Sequence, residues 1–526
     1  MGEPGPTRRI DQRSASAREP YLLLALLLLA TALRLYGLGD ACYWLDEFYS
    51  LESSTGRGLA HATLPQNVVI PSPPLLTRLA GAPPWWRIWT SLDTDNHPPL
   101  YFLLLRGWRS VVPETETYLR LLSTVASLVA VGLFYSTVRA QIGVPGAVAA
   151  AAVLAVASSQ VHFAQELRGY AVWAMLAAAA AWAVVAVERR GASRARLAVL
   201  ALATLGMLLT HYFAAATALG LFIYAAIAFR GRTRRLILTT LVAAGLLYAV
   251  TWGPFMLRQR NTVTANNQWQ FDPAPGHLVR TLERAALLPL RWLSETAVER
   301  WTKNAPWQAP TAIATAIAVA AGLGFARRDR ATWFWFAFAA PLVAMVVTLD
   351  LARHARHLEV TRYTFVAGPA VCFLIGLAVA RLRHPARWAI PAAVVALCAA
   401  GLPGAYADLQ DWRLYARAVH AESRPGDVVV YASAGREPWW AGSTYLGVSH
   451  YAPDMRHPIL LMTDPPTAAG PLHAAVPAGS SVWLFCSREN VWPKDLIPDA
   501  NVVQSFGAPN IGRVSQITLP SPAAVP

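Results

Sequence analysis

The sequence predicts an all-α, multi-pass membrane protein with a small α/β domain at its C-terminal end, and three observations predict it. Of the 526 residues 55% are hydrophobic and only 14% charged, with a mean hydropathy of +0.35, whereas soluble domains average about a quarter charged. Apolar runs long enough to cross roughly 30 Å of hydrocarbon recur through residues 21–404. From residue 405 onward, short β-rich runs alternate with turns. Lys and Arg outnumber Asp and Glu by 45 to 30. In such a chain that excess anchors loops to the cytoplasmic face, and it argues for topology rather than for nucleic acid. Abundant Ala and Arg with almost no Lys suggest a GC-rich bacterial genome, so the expected compartment is the bacterial plasma (inner) membrane. The four cysteines form neither a disulfide framework nor a metal-like spacing: Cys372 and Cys398 sit in apolar runs, and Cys42 and Cys486 lie far apart.

Taken in order, residues 1–20 are polar and Arg-rich and read as a disordered cytoplasmic tail. They do not read as a signal peptide, because no small-residue cleavage site follows the apolar core. Spans are expected near 21–38, 119–139, 145–161, 170–188, 196–211, 213–229, 236–256, 310–326, 331–350, 363–380 and 388–404, about 11 in all. The stretch Pro99–Val112 is too short to span and carries Arg106 and Arg109. If it does not cross, the clusters at Arg139, Arg189–Arg196, Arg230–Arg235, Arg327–Arg330 and Arg381–Arg387 all fall on the side of the Arg-rich N-terminus, as the positive-inside rule requires. It is therefore expected to be a juxtamembrane helix on the outer surface, with Trp108 and Arg109 at headgroup level. Domain boundaries follow: a membrane domain over 21–404 that includes a long outer loop at 39–118, and an extracytoplasmic α/β domain over 405–526. In the latter, Asp411–Glu422 is expected to be helical, with strands at Val428–Ala432, Ile459–Met462, Val482–Cys486, Val502–Phe506 and Val514–Leu519.

This topology collects the polar residues on the outer side. An outer loop of about 80 residues is unusual without a function. Asp46 and Glu47 follow Tyr43-Trp44-Leu45, and a carboxylate pair beside aromatic residues near hydrocarbon suits a general base. Solvated loop acids have the same spacing. The proline pair after His97 makes His97 and Pro98 extended and starts a helix near Pro99, which puts the imidazole at a helix N-terminus facing anions; a capping histidine fits equally. Asp93-Thr94-Asp95 offers oxygen ligands to a divalent cation, the one metal candidate. Gln165-Glu166-Leu167-Arg168-Gly169-Tyr170 opens a span on its outer side, where Arg168 suits a phosphate clamp or a snorkelling contact with headgroups. Arg362-Tyr363 repeats the pattern, and His211 lies at another outer span end.

Together, Trp44-Leu45-Asp46-Glu47, the D-x-x-x-H-P-P-L-Y run from Asp93 to Tyr101, and Gln165–Tyr170 resemble bacterial GT-C glycosyltransferases. The nearest groups are the protein O-mannosyltransferases and the aminoarabinose and lipopolysaccharide-core sugar transferases. The resemblance covers about 20–405 in order and spacing. It implies a sugar donor on a polyprenyl phosphate, a lipid, glycan or protein acceptor, and an inverting displacement with no required cofactor. Asp46 would be the base with Glu47 its neighbour. His97, Arg168 and Arg362 would hold the leaving phosphate, with Tyr170 and Tyr363 steadying it. Asp93, Asp95, Gln165, Glu166 and His211 remain candidates for acceptor or structural roles. The competing expectations are a transporter or flippase, which the scarcity of mid-membrane polar groups disfavours, and a catalytically silent envelope scaffold.

Overall fold

The computed structural model describes residues 6–266, 270–271, 274–294, 329–382, 384–406, 410–436, 438–477, 480–488, 490–508 and 512–520. The expected span at 310–326 and Arg327 lie outside them. Two units partition the chain. One comprises Met1–Leu38, Asn96–Tyr101 and Thr117–Ala407; the other comprises Gly39–Asp95, Phe102–Glu116 and Asp408–Pro526.

The first unit is helical. Its long apolar runs become α1 (Pro6–Leu35), α4 (Glu116–Ile142), α5 (Val144–Val156), α6 (Ser158–Gln165), α7 (Tyr170–Arg190), α8 (Arg194–Leu208), α9 (Ala214–Ala228) and α10 (Gly231–Thr251). They continue as α11 (Gly253–Asn266), α12 (His277–Ser294), α13 (Arg330–Arg353), α14 (Gly368–Arg381) and α15 (Ala389–Ala400). α1 begins at Pro6, so helix extends into the stretch expected to be a disordered tail. Among the described residues, α4, α7, α10 and α13 are each long and apolar enough to cross a membrane. α5 and α6 form a pair bent by 56° where a single span over 145–161 is expected. The bend falls at Ala157, whose backbone (φ −52°, ψ 118°) leaves the helical region. Several helices approach closely through glycine. A Cβ on Gly376 would lie 2.4 Å from the Gly146 carbonyl oxygen, so α5 and α14 meet backbone to backbone, as small residues allow in lipid-embedded bundles.

The second unit is built on a six-stranded sheet in the order β1-β3-β2-β4-β6-β5. β2 (Val428–Ala432), β3 (Ile459–Met462) and β4 (Val482–Cys486) fall on the expected residues, and β5 (Asn501–Ala508) and β6 (Gly512–Thr518) lie within a few residues of theirs. β2, β3 and β4 are parallel and buried on both faces, which is why they read as unbroken apolar runs. α16 (Trp412–Glu422) starts where Asp411 Oδ1 accepts the Leu414 N–H at 3.2 Å. α17 (Trp439–Tyr451) and α18 (Pro465–Ala475) connect the parallel strands. The edge strand β1 (Val69–Ile70) pairs antiparallel with β3 and comes from the stretch 39–95. Loop residues 39–95 therefore group with 408–526, where the sequence assigned them to the membrane domain.

α2 (Leu45–Ser54) and α3 (Leu100–Arg109) complete the set. α3 occupies the expected juxtamembrane stretch, but Arg109 is buried rather than aimed at headgroups. Its guanidinium pairs with Glu114 at 2.6 Å and donates to Leu51 O, Ser54 Oγ and Thr77 O. The loop carbonyls desolvated by folding need a donor there, and Arg109 supplies it.

Candidate functional site

In the first unit, four separate segments bring cationic and aromatic side chains together. His97 precedes Pro98 and Pro99, and α3 starts at Leu100 as the proline pair requires. Arg168 is buried and its Nη2 donates to His97 Nε2 at 3.2 Å. Because a guanidinium only donates, His97 Nε2 must be the acceptor, which assigns a neutral imidazole with its proton on Nδ1. The glycine next to Arg168 explains how the two motifs come so close. A Cβ on Gly169 would lie 3.2 Å from Tyr101 Cβ and 3.3 Å from Thr210 Cγ2, so the run ending at Tyr101 packs directly on the run Gln165–Tyr170.

His211 sits in the turn after α8, and its ring stacks flat on Trp173 at 4.4 Å. The rings of His97, Tyr170 and Tyr363 lie 5.9, 6.0 and 6.3 Å away. His211 is buried, with Arg168 and Arg362 among the groups near it. The Arg168 and Arg362 guanidinium groups lie over the rings of Tyr170 and Tyr363 at 5.8 and 5.6 Å. Tyr363 Oη accepts from Gln270 Nε2 at 2.7 Å, and Gln259 Nε2 donates to the His97 carbonyl at 3.3 Å. Gln259 lies on α11 and Gln270 beyond it, in a stretch that carries no recognisable motif; their position in sequence gave no sign of these contacts.

Other candidate residues are engaged differently. Gln165 Nε2 donates to Arg34 O and Tyr36 O at 3.1 and 2.7 Å, which satisfies carbonyls at the end of α1. Glu166 is buried and pairs with His162 at 2.9 Å; the i,i+4 spacing of His162 and Glu166 was the available signal for that pair. Behind Tyr363, buried Asp350 accepts from His357 N, His357 Nδ1 and Leu358 N at 2.8, 2.7 and 2.9 Å, fixing the segment that leads into Arg362.

In the second unit, Asp46 and Glu47 occupy the first turn of α2, where acidic side chains complement the positive helix end. Glu47 is buried and its Oε2 accepts the Trp44 N–H at 3.1 Å, so it caps α2. Asp46 is half-buried beside it. Asp93 lies in the turn Leu92–Thr94, and buried Asp95 accepts from Ser53 Oγ at 2.7 Å. Among the described residues, no group of three or more His, Cys, Asp and Glu side chains is arranged to hold a metal ion.

The chain is similar in fold to solved membrane glycosyltransferases. The oligosaccharyltransferase of Archaeoglobus fulgidus in its apo form aligns over 89% of this chain and 69% of its own, with a TM-score of 0.50 and 10% identity. ArnT from Cupriavidus metallidurans in the apo state aligns over 96% of this chain and 98% of its own, with a TM-score of 0.46 and 14% identity. The same protein bound to undecaprenyl phosphate aligns over 94% and 97%, also with a TM-score of 0.46 and 14% identity. The sequence profile of the dolichyl-phosphate-mannose-protein mannosyltransferase family matches residues 96–255. That span contains His97, Arg168, Tyr170 and His211, so the resemblance read from the motifs holds. No curated protein matches the chain by sequence.

Proposed function

We propose that this chain transfers a sugar from a polyprenyl-phosphate donor to an acceptor hydroxyl in the bacterial cell envelope, by one inverting displacement on the outer side of the plasma membrane. The observation that carries the reading is the convergence of Arg168, Arg362, His97 and His211 around Tyr170 and Tyr363 in the helical unit. Guanidinium groups withdrawn from water, Arg168 buried and Arg362 half-buried, suit a phosphate, and they favour it most when charge develops on it as a leaving group. The acceptor oxygen forms its bond to the anomeric carbon as the carbon–oxygen bond to the phosphate breaks. The lipid phosphate leaves with the electron pair, and the hydroxyl proton passes to a base.

Asp46 is the proposed base. Glu47, engaged with the Trp44 N–H, orients the turn that carries it. Eleven spans with a cytoplasmic N-terminus and an outer C-terminal unit complete the proposal; the apolar runs support the spans and the distribution of arginines supports the orientation. No cofactor is required by this scheme. The test compares glycosylated envelope lipids, glycans and proteins from strains carrying the wild-type chain, Asp46→Asn or a deletion. Asp46→Asn inserts normally and reproduces the deletion profile. A wild-type profile in that variant refutes the base assignment.

A further inference from the structure

The second unit carries a basic crest that the transferase reading does not use. β2 is the first parallel strand of its sheet, and β3 and β4 are added on opposite sides of it. The chain therefore reverses its winding between β2 and β4, and ligands of open α/β sheets bind beyond the carboxyl ends of the strands at such a switch. The two segments leaving these strands are tied together. Ser487 N donates to Ala432 O at 3.2 Å, Ser487 Oγ to Ser433 O at 2.5 Å, and Arg488 Nη2 to Gly435 O at 3.3 Å. Ala434, between them, holds a left-handed φ of 52°, a conformation that non-glycine residues keep where the surroundings impose it.

Three arginines meet at this crest. Arg436 follows β2, Arg488 follows β4, and Arg513 on β6 is the register partner of Cys486, the last residue of β4. Two are stacked on indoles: Arg436 lies 4.5 Å from the Trp440 ring centre and Arg513 lies 3.8 Å from that of Trp492. Trp440 in turn stacks on Trp439 at 4.8 Å. Among the described residues no ion pair engages Arg436 or Arg488. The crowding of like charge is felt at Arg436, which burial and then Arg488 pull below its ordinary value. Asp495 is the acid beside Cys486, and its carboxylate accepts the Trp492 N–H at 2.7 Å. Glu437 and Glu489 lie outside the described residues. Trp492 and Arg488 are exposed, so the crest is open to a ligand.

We propose that this crest, formed by Arg436, Arg488 and Arg513 with the indoles of Trp440 and Trp492, binds an anionic saccharide. A guanidinium stacked on an indole, as Arg436 is on Trp440, is fixed in plane and suits a phosphate or carboxylate in fork geometry. The neighbouring indole faces suit the C–H face of a sugar ring. The site is independent of the transferase reading, because every residue in it belongs to the second unit and none is proposed to act on the donor.

The test is ligand-observed saturation-transfer NMR on the full chain in lipid nanodiscs, titrating three probes. Trigalacturonic acid carries carboxylates, mannose 6-phosphate carries a phosphate, and maltotriose is neutral. At least one charged probe binds about ten-fold or more tightly than maltotriose. Preference for one of the two charged probes names the anion. Arg436→Ala combined with Arg488→Ala lowers that affinity about ten-fold, whereas Arg424→Ala, at an exposed arginine elsewhere in the unit, leaves it unchanged. Arg488→Gln alone, at an exposed side chain, weakens binding at least three-fold and guards against misfolding of the double variant. Charged probes that bind no better than maltotriose, or a double variant that binds like wild type, overturn the proposal.

Discussion

Replacing Arg168 by glutamine probes the cationic cluster with the least disturbance to packing. Arg168 is only 5% exposed, and one of its N–H groups is held by His97. A phosphate seated there gains a charge-assisted hydrogen bond in poorly solvated surroundings, worth about 1.5–3 kcal/mol. Since each 1.4 kcal/mol or so is a factor of ten, Arg168→Gln weakens binding of undecaprenyl phosphate about 10- to 100-fold. His97 is half-buried, so water replaces the lost donor at its Nε2 and adds little to the cost. Arg168→Lys keeps the charge but loses the planar fork, and its loss is smaller, about three- to ten-fold. The assay is equilibrium binding of radiolabelled undecaprenyl phosphate to purified protein in nanodiscs, which needs no knowledge of the sugar. A dissociation constant for Arg168→Gln within two-fold of wild type, in protein that retains its thermal transition, refutes the assignment.

Three further expectations follow from the same contacts. Asp350→Asn removes a charge that accepts from His357 N, His357 Nδ1 and Leu358 N, which costs about 1–3 kcal/mol locally; hydrogen exchange of the 357–367 backbone accelerates about 5- to 100-fold, and unchanged protection contradicts it. Arg109→Met leaves the carbonyls of Leu51 and Thr77 without their donor and lowers stability by about 3 kcal/mol, read as a drop in the thermal transition that a headgroup-facing arginine would not produce. Glu47→Gln still accepts the Trp44 N–H and so keeps at least a tenth of wild-type transfer, whereas Asp46→Asn abolishes it; equal losses in the two variants contradict the division of roles.

The parts of the fold legible in sequence are those set by local pattern. β2, β3 and β4 are short runs buried on both faces, so hydrophobicity marks their ends to the residue. The helices of the first unit follow apolar runs for the same reason. What escaped depends on partners far away in the chain. β1 is a two-residue edge strand whose register, Val69 against Leu460, no local window contains. Arg109 read as a headgroup residue because its spacing on α3 is that of a surface helix, yet its partners are carbonyls of residues 51 and 77. At the site, His97 was legible at a helix N-terminus and Arg168, Tyr170, His211, Arg362 and Tyr363 at span ends, and they gather in one cluster. Gln165 and Glu47 carry motif positions but satisfy helix ends, and a motif cannot separate those uses. Gln259 and Gln270 were invisible, since a lone amide has no pattern until its partner is known.

The account stands on the cationic cluster as a seat for a lipid phosphate. A polyprenyl phosphate bearing a diazirine next to the phosphate, photolysed with the protein in nanodiscs and mapped by mass spectrometry, tests this directly. The account predicts adducts on peptides containing His97, Arg168, His211 or Arg362, abolished by excess undecaprenyl phosphate. Adducts confined to exposed apolar positions such as Leu246 and Val250, undiminished by the competitor, would contradict it.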